Sequence, residues 1–320
     1  MRPPAAEIVK WLILKLLVLI DLCRRTVRPV RGRIIASGPG RQDAGSRRML
    51  CVLAHFDRDG VVDNYVVHYL RALDALGCET VVVSTAETLD GANIRKILPF
   101  CSKYIVKQNI GYDFASWRTG LAAVDDLSRY DRVIIANDSV YGPLQDLNGV
   151  FAEMAERKVS FWGITDSLKY GRHLQSYFLV FEGAVAMSGV FREFWRKLPD
   201  YRHKYAVIIQ AEVGLTRRLA AAGFDFAAYR PVEEVQQSVQ KEAGLAAILR
   251  DPRISPTHRG WKSLLQAGCP FLKIQLLRDN PMQVPDFDTW ETVLVGVSAY
   301  DPRLIKTHLA RVKRNEARVR

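Results

Sequence analysis

Two rhythms of apolar and polar positions run along this chain, and the switches between them mark its elements. Short apolar or β-branched runs suited to buried strands occur at residues 49–54 (MLCVLA), 79–85 (ETVVVST), 104–107, 132–136 (RVIIA), 159–164, 176–181 and 224–229. Apolar residues at helical spacing occupy 61–76, 114–127, 147–157, 191–198 and 207–222, with Gly77 and Gly223 placed to stop two of these helices. Strands alternate with helices about every 25 residues up to roughly residue 165. That alternation predicts an α/β fold, a mostly parallel sheet with helices on both faces. In such sheets ligands bind beyond the carboxyl ends of the strands. Three polar clusters fall at such ends, at 55–63, 109–117 and 137–143.

The amino-terminal segment has a different pattern. Residues 8–22 (IVKWLILKLLVLIDL) are strongly apolar, interrupted by Lys10 and Lys15, and followed by Arg24, Arg25, Arg28, Arg31 and Arg33. The run is shorter than the roughly 20 residues needed to cross a bilayer. Its basic residues follow the apolar stretch, the reverse of a secretory signal. A basic amphipathic helix lying in a membrane surface is expected over 1–33, with a short spanning anchor or a helix packed on the body as competitors. Residues 34–48 (IIASGPGRQDAGSRR) read as a linker. The globular domain is expected over 49–290, and 291–320 as a basic carboxyl-terminal extension.

Charge supports that division. The chain of 320 residues is 48% hydrophobic, enough for one large domain, and carries a net +12. Residues 1–48 hold +8 and residues 303–320 hold +6, which leaves −2 on the body between them. A nucleic-acid-binding domain would carry its basic footprint on the body. Basic ends on a near-neutral body point instead to an anionic membrane surface and to no nucleic acid, or act as solvated tails. The five cysteines are odd in number and form no CxxC pair, as expected of free thiols in a reducing compartment.

The polar clusters supply the candidate chemistry. Asn137, Asp138 and Ser139 end a buried strand; Asp138 can hold a divalent ion against a diphosphate, or cap a loop. In NIGYDFASW, Gly111 permits close approach of backbone to a ligand, and Asp113 can bind a sugar hydroxyl or cap the helix. Asp57 and Asp59 can face a ligand, whereas Asp63 suits the first turn of a helix. Glu212, in IIQAEVGLTRRL, is either a partly buried carboxylate whose pKa burial raises toward that of a general base, or an ion-pair partner of Arg217 or Arg218. His258, in SPTHRGW, is either structural or a ligand to metal or phosphate.

The segments HFDRDGVVDNYVVHYLRAL, NIGYDFASW, ANDSVYGPL, WGITDS, HLQSYFLVF, EVGLTRRL, SPTHRGWKSLL and PFLKIQLLRDNP, in this order, resemble the rhamnan synthesis protein F family over about residues 49–285. The resemblance implies a GT-A-like glycosyltransferase domain. It implies a nucleoside-diphosphate-sugar donor and a glycan or lipid-linked glycan acceptor of the rhamnan or lipopolysaccharide O-antigen type, and work at the cytoplasmic face of the bacterial inner membrane. NIGYDFASWRTG resembles the donor-binding turn of such enzymes, which implicates Gly111 and Asp113 for the donor, joined by His55, Asp57, Asp59 and Asn137. ANDS stands where they carry Asp-x-Asp; it retains Asp138 but has Asn137 and Ser139 beside it. Asp138 and His258 are then the metal ligands, for Mn or Mg. EVGLTRRLAAAG resembles the Glu-Asp-x-x-Leu-x-x-Arg-Leu pattern of inverting enzymes, with Ala211 in place of the first acid and Glu212 at the catalytic base. His173, Gln175 and Tyr177 are expected on the acceptor side. The rival expectation is a non-catalytic sugar-binding or scaffolding subunit of a polysaccharide assembly complex. A glycoside hydrolase, which needs two carboxylates flanking one bond, is a more distant one.

Overall fold

The computed structural model describes Leu16 and residues 31–41, 47–238 and 256–319. Most of the helix expected over 1–33 therefore lies outside the described residues. Among the described residues, no helix is long and apolar enough to cross a membrane.

Eleven described strands follow in chain order: β1 (Ile34–Pro39), β2 (Met49–His55), β3 (Cys78–Ser84), β4 (Lys103–Lys107), β5 (Arg132–Asn137), β6 (Val140–Tyr141), β7 (Phe161–Ser167), β8 (His173–Leu174), β9 (Phe178–Glu182), β10 (Phe226–Arg230) and β11 (Leu272–Lys273). The main sheet has the order β1-β4-β3-β2-β5-β9-β7-β10, with β8 attached to β7. β11 pairs with β6 in a separate small ribbon.

The sheet is mixed, not mostly parallel. β2, β3, β4 and β5 run parallel, as do β7 and β10. β9 is antiparallel to both β5 and β7, and β1 is antiparallel to β4. Only residues 168–177 separate β7 from β9, too few for the crossover helix a parallel neighbour requires, so the chain turns back on itself.

Period-two alternation on the central strand sorts the core into two layers. Cys51 and Leu53 face one cluster, which includes Tyr69 and Leu73 of the helix Asn64–Ala75. Leu50, Val52 and Ala54 face the other, with Phe114 and Trp117 of the helix Tyr112–Ala122 and Phe191 and Trp195 of Gly189–Lys197. Gly120 lets the second layer close on the sheet: a Cβ there would lie 2.3 Å from Val52 Cγ1. Cys51, Cys78, Cys101 and Cys269 are buried free thiols.

Two expected boundaries are corrected. Residues 34–39 are an edge strand of the sheet, not linker. Five of the six β1 residues are exposed, so the strand lacks the burial pattern that marks its neighbours. Residues 291–320 are not an appendage either. The helices Trp290–Val297 and Pro302–Val319 pack onto the body, burying Leu294, Tyr300, Ile305 and His308. The many basic residues of the last helix disguise its apolar stripe of Leu304, Ile305, His308 and Leu309, which lies at helical spacing against the first core layer.

Candidate functional site

Parallel strand ends build the floor of the site. β2 and β5 pair in register up to Ala54 and Asn137, so the loops that follow them open at one edge. The segment after β4 reaches the same edge, where Gly111 turns the chain into the helix Tyr112–Ala122. Two adjoining hollows of about 640 and 330 Å³ open there. The larger is lined by Asp57, Asp59, Asp138 and the carboxyl-terminal helix; the smaller by Asn137, Gln175, Tyr177, Glu212, His258 and Lys273. Asp113, Ser139, Lys204 and Gln275 line both.

A chain of hydrogen bonds joins the hollows. Lys273 Nζ donates to Ser139 Oγ at 3.3 Å, Ser139 Oγ donates to Asn137 Oδ1 at 2.7 Å, and Asn137 Nδ2 donates to Asp113 Oδ2 at 2.8 Å. Asn137 therefore accepts on one side and donates on the other, which an aspartate cannot do. The asparagine thereby ties Asp113 to Ser139 across the floor of the site. Burial raises the pKa of Asp113, against the pull of the Asn137 bond and the charges of Lys273 and Lys204.

Asp138 is buried at the end of β5, and its Oδ2 accepts from the Phe56 N–H at 3.0 Å. Burial pushes its carboxyl well above the ordinary range; the Phe56 bond opposes this, and Asp113 and Asp57 add to it. His55 lies behind it, with Nε2 3.9 Å from Asp138 and Nδ1 2.9 Å from Ser84 Oγ. Burial lowers the His55 pKa to about 4, so its ring is neutral. His55 supports Asp138 and does not line either hollow, contrary to the expected donor contact.

Asp57 and Asp59 reach the larger hollow, but their carboxylates are already engaged. Arg311, on the helix Pro302–Val319, binds Asp57, Asp59 at 2.9 Å and Asp63 at 2.6 Å. Asn315 adds a bond to Asp59 at 2.7 Å. Burial raises the Asp57 pKa, but the Arg311 guanidinium and the N–H groups of Val61 and Asp59 more than reverse this. Gly111, too, serves the protein. It has φ +89°, and a Cβ there would lie 2.5 Å from Ala115 Cβ and 2.9 Å from Asp200 Cα. Its expected approach to a ligand is an approach to Asp200.

Glu212 ends a π-helical turn, Val207–Glu212, that continues as the helix Val213–Ala221. Such register breaks are common at functional sites. Its Oε2 accepts from the Ser176 N–H at 2.9 Å and from the Ser176 hydroxyl, and its Oε1 lies 3.6 Å from His173 Nε2. His173 Nδ1 donates to the Gly171 carbonyl at 2.8 Å. Burial alone would raise the Glu212 pKa, as the sequence suggests, but His173 and Ser176 outweigh it and the pKa falls. Burial works against the charge on His173, but Glu212 outweighs it and the His173 pKa is raised. The partner is thus His173, not Arg217 or Arg218. His173 stands behind Glu212, whereas Gln175 and Tyr177 line the smaller hollow.

A divalent ion that acts on a diphosphate is held by one or two protein carboxylates together with phosphate oxygens. Asp138 and His258 line different hollows, so the expected pair of metal ligands is not brought together. Among the described residues, three His, Cys, Asp or Glu side chains converge only at Asp57, Asp63 and His308, where Arg311 already bridges the two carboxylates. Both ring nitrogens of His258 are buried without a well-formed hydrogen bond. Burial, aided by the charges of Lys273 and Lys204 and only partly opposed by the nearby Gln275, lowers its pKa to about 4.

The sequence reading overlooked Lys273, Lys204 and Arg311. Lys273 carries the clearest local signal, a lysine inside the apolar stretch PFLKI. Its ammonium sits 4.3 Å from the Tyr177 ring centroid, and burial lowers its pKa to about 8. Nothing near Arg311 in the sequence betrays partners 248 to 254 residues away.

The family described as Rhamnan synthesis protein F is matched over residues 80–319. The virulence protein VirA of Vibrio anguillarum is 28% identical over 232 residues, 65% of this chain and 74% of that protein. The uncharacterized protein y4gN of Sinorhizobium fredii is 28% identical over 191 residues, 58% of this chain and 49% of that protein. Among solved structures, a mannosyltransferase of Pyrobaculum calidifontis in complex with GDP-Man and Mn²⁺ aligns with a TM-score of 0.35 and 13% identity, over 96% of this chain and 92% of that one.

Proposed function

We propose the function of this chain from one premise: it belongs to the rhamnan synthesis protein F family, which matches most of its length. The chain is a glycosyltransferase. It moves a sugar, of the deoxyhexose class that includes rhamnose, from a nucleoside-diphosphate donor to a growing cell-surface glycan or its lipid-linked precursor. The observation that carries this reading is the joining of Asp113, Asn137, Asp138 and Glu212 around two connected hollows at the strand ends.

Glu212 is the proton acceptor. Its lowered pKa keeps it ionised through the neutral range, and Ser176 and His173 fix its orientation. A bound acceptor hydroxyl gives its proton to Glu212 as the oxygen attacks the anomeric carbon from the face opposite the diphosphate, inverting the centre in one step. Asp113, oriented by Asn137, and Asp138, oriented by the Phe56 N–H, are placed to bind donor hydroxyls. Gln175 lines the acceptor side.

The working location is the cytoplasmic face of the bacterial inner membrane. A third hollow, of about 600 Å³, supports an orientation there. Ile34, Leu121, Phe191 and Trp195 line it, and the exposed Arg31, Arg192 and Arg196 rim it. An apolar hollow rimmed by guanidinium groups complements an anionic lipid surface.

The direct test is nucleotide release from a panel of nucleoside-diphosphate sugars, with and without Mn²⁺, using membrane extract as acceptor source. One donor should turn over, and Glu212→Gln should lower kcat by about 10²–10⁴-fold, the usual contribution of a general base. Donor binding without turnover, unchanged in Glu212→Gln, would leave the non-catalytic sugar-binding subunit as the better reading. The tight hold of His173 and Ser176 on Glu212 is the feature that favours that alternative.

A further inference from the structure

A departing diphosphate needs positive charge, and Asp138 and His258, the two residues expected to supply it through a metal, line different hollows. The smaller hollow offers cations directly. Lys273 has three donors. One is directed at Ser139 Oγ, and the ammonium also sits over the Tyr177 ring. Among the described residues it makes no ion pair, although Asp113 and Glu212 lie near enough to favour its charged form. Lys204, on the turn before the π-helical segment, lines the same hollow. His258 completes the group with two buried ring nitrogens that lack a well-formed hydrogen bond.

These groups feel one another. Lys204 disfavours the charge on Lys273, and both disfavour a charge on His258. Lys273 is partly buried and Lys204 is exposed, and a polyanion held between them favours the charged form of Lys273. The backbone at Lys273 is fixed independently, because β11 pairs Lys273 with Val140 and Leu272 with Tyr141. The ladder holds the strand, and the side chain remains available for a ligand. The adjoining hollow is of mixed charge, with Asp57, Asp59, Asp138 and Glu316 but also Arg58 and Arg278 on its walls.

We propose that Lys273, with Lys204 and His258, forms the diphosphate-binding end of the cleft, so that ammonium groups and not a divalent ion bear the charge of the leaving group. The proposal rests on the glycosyltransferase reading. In the transfer, the acceptor oxygen bonds to the anomeric carbon and its proton passes to Glu212. The bond from that carbon to the diphosphate breaks, and its electron pair stays on the phosphate oxygen. Lys273 donates hydrogen bonds to the oxygen that gains charge, where such donors contribute most. His258, neutral near pH 7, donates from one ring nitrogen to a second phosphate oxygen.

Inorganic pyrophosphate, titrated calorimetrically into the full chain in EDTA, tests the site without knowledge of the sugar or nucleotide. The wild type should bind it. Lys273→Gln should weaken binding at least tenfold and Lys204→Gln several-fold, while Lys273→Arg should restore most of the loss. Glu212→Gln removes a nearby negative charge but also a support for the charged form of Lys273, so it is compared at about pH 6, where Lys273 stays protonated, and there should bind as well as the wild type or more tightly. Wild-type affinity should fall as pH rises through about 8, where Lys273 loses its proton, and the fall should disappear in Lys273→Arg. Matching melting temperatures for Lys273→Gln and wild type exclude simple misfolding; if the glutamine variant melts early, the Arg rescue and pH limb decide. Binding that requires Mn²⁺, or that ignores both lysines, overturns the proposal. If pyrophosphate binds as described but no donor turns over, the charge assignment stands and the transferase reading fails. If donors turn over but pyrophosphate ignores the lysines, the reverse holds.

Discussion

Asn137 ends β5 beside Asp138, on the floor of the site. Its amide donates to Asp113 and its carbonyl accepts from Ser139, so both ends of the side chain are used. Asn137→Asp replaces the donor with an oxygen and sets two carboxylates side by side. At pH 7 the variant should be less stable by about 2–3 kcal/mol, because a buried hydrogen bond is removed and two like charges repel. The sign with pH follows from the pair: one carboxyl pKa rises, so the destabilisation is present at neutral pH and shrinks as acid protonates that group. Melting temperatures of the variant and wild type should therefore converge below about pH 5; a constant gap across pH 4–8 would show that charge repulsion is not the cause. Lys273 belongs to the same relay through Ser139, so the asparagine also helps set where the ammonium points.

Among the elements, the carboxyl-terminal helix Pro302–Val319 changes the picture most. Arg311 ties it to Asp57, Asp59 and Asp63, and the arginine side chain is only 15% exposed. Arg311→Ala leaves three carboxylates without their cation. It should cost about 2–4 kcal/mol and raise hydrogen exchange in residues 302–319 and 56–63 together. Arg311→Lys keeps the charge but cannot fork across three acids, and should recover less than half. If Arg311→Ala speeds exchange in the helix alone, the acids are held by something other than the arginine. The same element shows where sequence patterning stops. β2, β3 and β5 announce themselves because both their faces are buried, which turns each into a continuous apolar run. β1 does not, since an exposed edge strand carries no such run, and the two-residue ribbon of β6 and β11 is too short for any period. For the site, strand-end residues such as Asp113 and Asp138 were legible because the topology rule says where ligands bind. Arg311, His173 as partner of Glu212, and Lys273 were not, because contacts across the fold decide them.

At the scale of the whole molecule, the charge is divided: +8 on residues 1–48, +6 on 303–320 and −2 between them. Part of the carboxyl-terminal excess is used internally, since Arg311 neutralises the loop after β2. Of the amino-terminal basic residues, Arg31 reaches the third hollow, where it donates to the Arg196 carbonyl at 3.2 Å and Ile34 is exposed. Among the described residues no carboxylate forms an ion pair with Arg192 or Arg196, so both can meet an external anion. If this face rests on the membrane, the full chain should float with vesicles containing phosphatidylglycerol and not with phosphatidylcholine alone, and added salt should weaken the association. Each basic residue near an anionic surface contributes about 1 kcal/mol. Reversing two of them, as Arg192→Glu with Arg196→Glu, should thus reduce partitioning by at least about tenfold while leaving pyrophosphate binding unaltered. Undiminished flotation of that double variant would assign membrane binding to the amino-terminal segment alone and remove the orientation. Failure of the wild type to float would remove the membrane reading altogether. Should both expectations hold, the helix Tyr112–Ala122 spans from Asp113 in the cleft to Leu121 and Ala122 at the lipid-facing hollow. The rise from Asp113 to Ala122 then sets the height of the reacting groups above the membrane, about 14 Å at 1.5 Å per residue if the helix stands along the membrane normal.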